Sequence, residues 1–400
     1  MAGPFSGVRI IDISTVLMGP FATEQFADLG ADVIKVETLD GDVIRNIGPN
    51  RHPGMSALYL NLNRNKRSIA LDLKAPQGKA VLLKLIADAD VLFYNIRPKA
   101  MARLGLSYED VRSVNEKIIY CGAYGFSQDG PYAAKAAYDD LLQGAVGIAD
   151  LTQQATGIAS YAPFALADHA CGMYAAFCLS AALFHKQVTG QGQSVEVPMF
   201  ETMAQTILTH HMWGKAFDPP LAGTGFPRQI SPNRRPFPTL DGHVCMLLVS
   251  DDQWLRFFSS VGLAATLEDQ RFNTVAARNE NTSELYAIVQ QVLAQRTTAQ
   301  WMELLEAHDL PASPMQSLDE LMEDPHLRAT GFFQKFEHPT EGSLVGMSVP
   351  SGWSVSATQE WRMPAPRIGE NTKEILAKAG FSEVQIEELI SIGVIAVPAQ

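Results

Sequence analysis

Short apolar, β-branched runs alternate with segments of helical periodicity along the first half of the chain. Strands are predicted at 8–13, 31–37, 91–94, 117–121 and 193–197, with a further extended piece at 68–73. Helices are predicted at 19–28, 76–88, 168–186 and 200–213. Strands that alternate with helices in this way indicate an α/β fold with a Rossmann-like parallel sheet, covered by helices on both faces.

The composition changes after about residue 215: prolines and glycines are frequent between residues 218 and 238. A hairpin is predicted at 237–249 with its turn at Asp241-Gly242. Helices are predicted near 251–262, 281–295 and 298–307, and then near 371–379 and 382–391. The expected organisation is a large domain formed by 1–215 and 330–400, an inserted smaller α+β domain at 225–320, and linkers at 216–224 and 321–329.

Composition excludes some classes of partner. The 400 residues carry a formal net charge of -12, whereas general nucleic-acid binders present a basic surface to the phosphate backbone. The longest nearly apolar run, 170–184, is shorter than the ~20 residues that cross a bilayer. No secretory signal is visible, and the four cysteines form no CxxC pair. We therefore expect a cytoplasmic protein that binds neither membrane nor nucleic acid.

Several common motifs are missing from the sequence. The first strand-to-helix turn, 14–20, lacks the G-x-G-x-x-G glycines that let a backbone approach a dinucleotide pyrophosphate. The chain also lacks G-x-x-x-x-G-K-[ST] and G-x-S-x-G. His210 and His211 are adjacent and lie outside an H-E-x-x-H pattern, so the chain is not expected to hold a metal.

A basic stretch contrasts with the acidic chain. Between residues 64 and 103 only Asp72, Asp88 and Asp90 oppose nine basic side chains, which are Arg64, Lys66, Arg67, Lys74, Lys79, Lys84, Arg97, Lys99 and Arg103. Such a stretch suits an anionic ligand with several phosphates. The alternative is a solvated basic face on ordinary helices.

Asp168 stands immediately before a long apolar helix in the segment PFALADHACGMYAAFCLSAALFHK, 163–186. One interpretation is an N-cap, in which the carboxylate accepts hydrogen bonds from the first helical turn. The other is a nucleophile, because a helix N-terminus keeps a carboxylate ionised and an ionised carboxylate can attack an activated acyl carbon. The two interpretations are compatible.

Motifs in a fixed order resemble a known family along nearly the whole chain. They are GVRIIDIS at 7–14, GPFATEQFADLGADVIKVE at 19–37, NRNKRSIALDLK at 63–74, NIRPKAMARLGLSYEDV at 95–111, TGQGQSVEVPMFETM at 189–203 and PAPRIGENTKEIL at 364–376. With the Asp168 segment, they resemble the class III CoA-transferases, of the formyl-CoA transferase or CaiB/BaiF type. The resemblance implies coenzyme A as the carried group, a carboxylic acid as acceptor, no metal, and a homodimer of interlocked chains.

The resemblance also assigns roles to residues. Asp168 matches the family's catalytic aspartate, which forms an anhydride with the donor acyl group and then a thioester with CoA. Residues that match CoA contacts are Val16, Leu17, Leu71, Lys74, Asn95, Ile96, Arg103 and Lys135. Lys74 and Arg103 are the preferred phosphate partners.

Two other functions remain open. A 2-methylacyl-CoA racemase shares this fold and aspartate, but its relatives carry a His-Asp pair where this chain has Tyr138-Asp139. A non-catalytic CoA-binding protein is the second. Arg228, Arg234 and Arg235 form a cluster in the predicted small domain. We expect Arg234 or Arg235, or else Arg228, to bind the far carboxylate of a dicarboxylic acceptor.

Overall fold

The computed structural model describes residues 2–358 and 361–398, which divide into two compact units. The first unit comprises Met1–Leu142, Phe164–Met203 and His326–Gln400, and the second comprises Gln143–Pro163 and Ala204–Pro325. Residues 143–163 and 204–215 group with the second unit in this division, whereas the sequence assigned them to the large domain. The other predicted domain and linker boundaries stay a prediction.

Strands and helices follow one another along the chain as the sequence pattern predicts, with additional short elements. The strands are β1 Arg9–Asp12, β2 Asp32–Glu37, β3 Lys66–Leu71, β4 Val91–Tyr94, β5 Ile119–Tyr124, β6 Gln193–Pro198, β7 Phe237–Pro238, β8 His243–Met246, β9 Ala312–Pro314, β10 Phe333–His338, β11 Gly342–Met347 and β12 Ile395–Ala396. The helices of the first half are α1 Met18–Asp28, α2 Ala57–Leu62, α3 Pro76–Ala87, α4 Pro98–Leu104, α5 Tyr108–Val114, α6 Asp139–Ala145, α7 Ile148–Thr156, α8 Leu166–Thr189 and α9 Met199–His211. Those of the second half are α10 Asp251–Ser260, α11 Val275–Glu280, α12 Thr282–Leu293, α13 Thr298–Ala307, α14 Leu318–Met322, α15 Pro325–Ala329, α16 Thr372–Lys378 and α17 Glu383–Ser391.

The first unit is built on a mostly parallel sheet. Within the described residues its strand order is β12-β3-β2-β1-β4-β5-β6, and each neighbouring pair except β12–β3 is parallel. β3, β4 and β5 are buried along their whole length, as expected where helices cover both faces of a parallel sheet. The predicted α/β class is therefore confirmed.

The core of this sheet comes from the alternating apolar runs of the sequence. Aliphatic side chains of β1, β2, β3 and β4 pack against α3, α16 and α17 in one cluster. Its contributors include Ile11, Ile34, Ile69, Leu82, Leu92, Leu376 and Leu389. β12 pairs with β3 through Ile395 and Leu71. It has two residues, so the hydrophobic pattern did not predict it.

The second unit has its own apolar core. β7, β8 and β9 form an antiparallel sheet, and β7 pairs with β8 through Phe237 and Val244, which confirms the predicted hairpin. α10, α12 and α13 supply most of the buried aromatic and aliphatic residues around it. These include Trp254, Phe257, Phe258, Val289 and Trp301.

α8 is longer than the sequence indicated. It has 24 residues and, within the described chain, is the one helix that meets the length and composition criteria for crossing a membrane. A third of its most apolar window is buried. It packs against α1, β5 and β6, and the core helix of a soluble protein meets the same criteria.

Candidate functional site

The strand order changes direction between β1 and β4, because the chain proceeds from β1 to β2 and β3 and then returns to β4 on the other side. At such a switch point the loops beyond the carboxyl ends of two strands diverge and leave a crevice. The turn Ser14–Leu17 follows β1, and Asn95 follows β4. The Asn95 side chain joins the two loops: Oδ1 accepts from Thr15 N at 3.1 Å and Nδ2 donates to Thr15 O at 2.8 Å.

Val16 presents an unusual backbone at this crevice. Its φ is 69°, in the left-handed region that a β-branched residue rarely adopts, and its side chain is exposed. The Val16 N–H donates to both carboxylate oxygens of Asp42, at 3.1 and 3.2 Å. Because the surrounding structure must hold a strained backbone in place, such a residue often marks a functional turn.

A buried ion pair between Lys35 and Asp42 stabilises this turn. Lys35 Nζ lies 2.9 Å from Asp42 Oδ2 and donates to Ser14 O at 3.1 Å, and both side chains are inaccessible to solvent. Asp12 accepts from Ser14 N at 2.9 Å and Thr23 Oγ1 at 2.5 Å. The turn is therefore fixed from Asp12, Asp42 and Asn95 at once, which preorganises it for a ligand.

Asp168 lies in the first turn of α8 and is not its N-cap. The helix begins at Leu166, and Ala165 occupies the cap position without a side-chain hydrogen bond. The cap interpretation is wrong because the chain turns helical two residues before Asp168. The half-buried carboxylate is instead left without a capping role.

The surroundings of Asp168 favour its neutral form more than water does. Its N–H donates to Asp139 Oδ2 at 2.9 Å. Burial, and then the negative charge of Asp139, raise the pKa of Asp168 to about 6, while His169 acts in the opposite direction. With this pKa the carboxylate is mostly ionised at pH 7, in line with the expectation of an ionised nucleophile, although it is a weaker acid than an ordinary aspartic acid.

α8 brings Asp168 towards the Val16 turn. Gly172 lies one turn after Asp168, on the same face of the helix. A Cβ at Gly172 would lie 2.8 Å from Met18 O and 3.0 Å from the Phe21 ring, so α8 and α1 pack at close range there. The His169 ring packs edge-on against Phe21 at 4.9 Å. The first turns of α8, which carry Asp168, therefore pack against the N-terminal turn of α1, which directly follows Leu17.

His169 is engaged within its own helix. Its Nδ1 donates to Ala165 O at 2.7 Å, and its ring also packs near Phe164. These contacts fix the ring beside the first turn of α8.

The side chains of the other predicted CoA contacts differ in how exposed they are to solvent. Ile96 packs partly against the core, whereas the Leu71 side chain lies inside it, so only its main chain could face a ligand. Lys74 and Arg103 are exposed. Lys135 is also exposed, with Nζ 3.6 Å from the centre of the Tyr132 ring.

Three of the nine cations in the basic stretch have a structural role. Arg64 pairs with Glu24 and Asp28, and Lys66 pairs with Asp12, all in buried positions. Arg67 likewise pairs with Asp32. The interpretation of these three cations as part of a ligand field is therefore wrong. Exposed cations that remain near the crevice loops are Lys74, Arg97, Lys99 and Arg103.

Arg234 and Arg235 lie in the second unit, where they line a cavity of about 440 Å³ with Cys245, Met246 and Tyr286. Arg235 Nη2 donates to Gln290 Oε1 at 3.2 Å. Arg228 lines a smaller neighbouring cavity of about 140 Å³ that also reaches Tyr286. The sequence cluster of three arginines is thus distributed over two adjoining cavities.

Three residues of the first unit were missed from the sequence. Asp139 is half-buried beside Asp168, and Lys35 and Asp42 are buried below the Val16 turn. Lys35 carried a signal, because a lysine inside the apolar run DVIKVE requires a buried partner. Within the described residues, no group of three or more His, Cys, Asp or Glu side chains is arranged to hold a metal ion.

Comparison with known proteins agrees with this arrangement. The family model for CoA-transferase family III matches residues 5–372. The chain is 33% identical over 385 residues to succinate–glutarate CoA-transferase of Agrobacterium fabrum, and this alignment covers 94% of this chain and 95% of that protein. It is 32% identical over 424 residues to formyl-CoA:oxalate CoA-transferase of Rhodopseudomonas palustris, covering 100% and 98%. The crystal structure of a CaiB/BaiF family protein from Brucella suis superposes with a TM-score of 0.79 at 28% identity, covering 95% of this chain and 100% of that one.

Proposed function

The chain belongs to CoA-transferase family III, and is thus an enzyme that transfers CoA between an acyl-CoA and a carboxylic acid; from this premise we propose that it acts on small dicarboxylic acids through covalent intermediates on Asp168. The observation that carries the proposal is the half-buried Asp168 carboxylate, on a helix turn that packs against the start of α1 just after the Val16 turn. Relatives named for succinate, glutarate and oxalate support the dicarboxylic class.

The proposed cycle exchanges one activated acyl group for another. The Asp168 carboxylate attacks the donor thioester, the C–S bond breaks, and an aspartyl–acyl anhydride and CoA thiolate form. The thiolate attacks the aspartyl carbonyl, which releases the donor acid and leaves an aspartyl–CoA thioester. The acceptor carboxylate attacks this thioester, and the freed thiolate then takes the acceptor acyl group from the second anhydride, which regenerates Asp168.

Residues of the first unit fit roles in this cycle. The Val16–Leu17 turn and the Asn95–Ile96 loop are proposed to lie against CoA, and exposed Lys74, Arg103 and Lys135 to meet its phosphates. A fixed turn reduces the motion that CoA must lose, since Asp42 and Lys35 hold it before binding.

A transfer assay tests the proposal. Succinyl-CoA is supplied as donor with glutarate, oxalate or acetate as acceptor, and the new thioester is separated by liquid chromatography. We expect glutaryl-CoA or oxalyl-CoA to form faster than acetyl-CoA. The same enzyme with a 2-methylacyl-CoA in D₂O and no acceptor should leave the α-hydrogen in place; deuterium incorporation there would instead favour the racemase.

The pH dependence of the rate should follow Asp168. With a pKa of about 6 the carboxylate of the free enzyme is about 90% ionised at pH 7 and about 10% at pH 5, so kcat/KM for the acyl-CoA donor should fall as pH decreases through 6. Asp139→Asn removes a neighbouring negative charge, so the pH at which the rate is half of its maximum (the midpoint) should move to a lower value. Asp140→Asn, at an exposed position on the same helix, is the control and should leave it in place. An unmoved midpoint in Asp139→Asn would argue against the charge coupling.

We further propose that the enzyme is a cytoplasmic homodimer, as the resemblance implies. α8 supports this with an exposed apolar stripe made of Met173, Phe177, Phe184 and Val188. The spacing of four, seven and four residues puts these side chains on one face of the helix.

Disruption of this stripe should therefore change the oligomeric state. The double variant Phe177→Asp/Phe184→Asp is expected to shift the protein from dimer to monomer in light scattering coupled to size exclusion. Val384→Asp, at an isolated exposed position on α17, should leave the dimer intact. A monomeric wild-type protein would contradict the proposed dimer. A wild-type protein that sediments with lipid vesicles would contradict the cytoplasmic assignment.

A further inference from the structure

Two arginines of the second unit, the half-buried Arg228 and the exposed Arg234, have no acidic partner within the described residues. The Arg228 guanidinium lies 5.5 Å from the centre of the Phe226 ring. Among the described residues, neither Arg228 nor Arg234 has a guanidinium that forms a hydrogen bond or an ion pair, and Arg228 Nε is shielded from solvent. Neighbouring arginines differ in this respect. Arg235 donates to Gln290, and Arg278 donates to Phe272 O and pairs with Asp251. Arg228 Nε is thus a buried donor without a partner, which costs free energy and calls for a ligand, whereas the exposed Arg234 is free to bind one.

The two unpaired arginines converge on Tyr286. This side chain is buried and lines both the larger cavity, to which Arg234 belongs, and the smaller one, to which Arg228 belongs. Burial raises the pKa of Tyr286, and the positive charges of Arg228 and Arg234 act in the opposite direction. Both guanidinium groups are therefore close enough to the phenol to affect its ionisation.

The lining of both cavities lacks a compensating negative charge. Among the described residues that line them, none is an aspartate or a glutamate, although the chain as a whole carries a net charge of -12. Two like charges near one buried side chain repel each other, and an anion between them removes the repulsion. A carboxylate suits these donors, because a guanidinium can bind both of its oxygens and a phenol can donate a further hydrogen bond.

We propose that Arg228, Arg234 and Tyr286 form an oxyanion-binding site of the second unit that takes a carboxylate of a small dicarboxylic acid. The choice of a dicarboxylic acid rests on the proposed function, whereas the existence of an anion site rests on the unpaired arginines. Arg234 lines the larger cavity, of about 440 Å³, and Arg228 the smaller one, of about 140 Å³. Tyr286 lines both, so the proposed ligand lies where the two cavities meet.

Direct binding tests the site without any need for catalysis. Isothermal titration of the full-length protein with glutarate, in the absence of CoA, should give a saturable signal that Arg228→Gln and Arg234→Gln weaken by about tenfold or more. Tyr286→Phe removes one neutral donor and should weaken it less. Arg271→Gln is the matched control, since Arg271 belongs to the same unit, lines neither cavity and already pairs with Asp269. It should bind glutarate within about twofold of the wild type.

Misfolding can be separated from loss of the site. Arg228→Gln removes an unpaired charge, so its melting temperature should equal or exceed that of the wild type. Glutarate binding that is unchanged in Arg228→Gln and Arg234→Gln overturns the proposed site. Inorganic phosphate that binds more tightly than glutarate, and in the same variant-sensitive way, overturns the carboxylate assignment and points to a phosphate of CoA.

Kinetics then separate this site from the proposed chemistry. With succinyl-CoA as donor, Arg228→Gln should raise KM for glutarate by about tenfold or more, with a smaller change in KM for the donor. If the wild type binds glutarate but transfers no CoA to it, the proposed dicarboxylate function fails while the anion site stands. If transfer proceeds and both arginine variants keep the wild-type KM for glutarate, the site fails while the proposed function stands.

Discussion

Asp168→Asn is expected to reduce CoA transfer by about three orders of magnitude or more, because the amide cannot attack a thioester. Asparagine keeps the size of the side chain and leaves the N–H bond to Asp139 in place. The helix should therefore form as before, and CoA should bind with similar affinity. Asp140→Asn on α6 is the matched control, and it should keep near wild-type turnover.

The covalent intermediate offers a direct test of the same assignment. Incubation of wild-type enzyme with succinyl-CoA and hydroxylamine should modify the peptide that contains residue 168, and mass spectrometry should detect the change. The Asp168→Asn protein should show no such modification under the same conditions. Turnover by the wild type with residue 168 unmodified would exclude the proposed nucleophile, and full activity in the variant would do so independently.

Arg45→Met is expected to destabilise the first unit by about 3–5 kcal/mol, the usual cost of leaving a buried ion without its partner. Arg45 Nε and Nη2 pair with the two oxygens of buried Glu37 at 2.7 and 2.6 Å. The guanidinium also donates to Gly54 O and Pro366 O, both at 3.1 Å. All four bonds vanish in the variant, and Glu37 keeps only weaker donors. Urea denaturation followed by circular dichroism measures the loss.

An exposed ion pair supplies the contrast for this prediction. Lys373 pairs with Glu387 at 2.6 Å, but both side chains are more than half exposed. Lys373→Met should therefore change the free energy of unfolding by less than about 1 kcal/mol. The double variant Arg45→Met/Glu37→Gln should be less destabilised than Arg45→Met, since it removes the stranded charge. Equal stability of Arg45→Met and Lys373→Met would show that burial does not set the strength of this pair.

The sheet could be predicted because its signal is local. Runs such as VRIIDI at 8–13 are too short for helices and too apolar for loops, so they indicate buried parallel strands. β12 and the grouping of 143–163 with the second unit depend on contacts between distant parts of the chain. A two-residue strand has no periodicity to detect.

The sequence indicated which residues belong to the candidate site, but it did not indicate their burial, their ion-pair partners or their pKa values. Asp168 was proposed by resemblance, but its raised pKa depends on burial and then on the charge of Asp139, which lies 29 residues earlier in the chain. The basic stretch was misread for Arg64, Lys66 and Arg67, because a count of charges does not show which ones are buried. Lys35, inside the apolar run of β2, was the available clue that this unit contains buried ion pairs, since a buried ammonium group needs a counter-charge.

The antiparallel contact of β12 with β3 has a consequence for synthesis of the protein. β3 ends at Leu71, and its partner begins only at Ile395. At a translation rate of ~5–20 residues per second, the free edge of β3 would stay open for tens of seconds while the rest of the chain is made. An open, apolar strand edge is a template for pairing with other nascent chains. Ribosomes that stop before codon 395 should therefore yield products that depend on chaperones, even when every residue around Asp168 has been made.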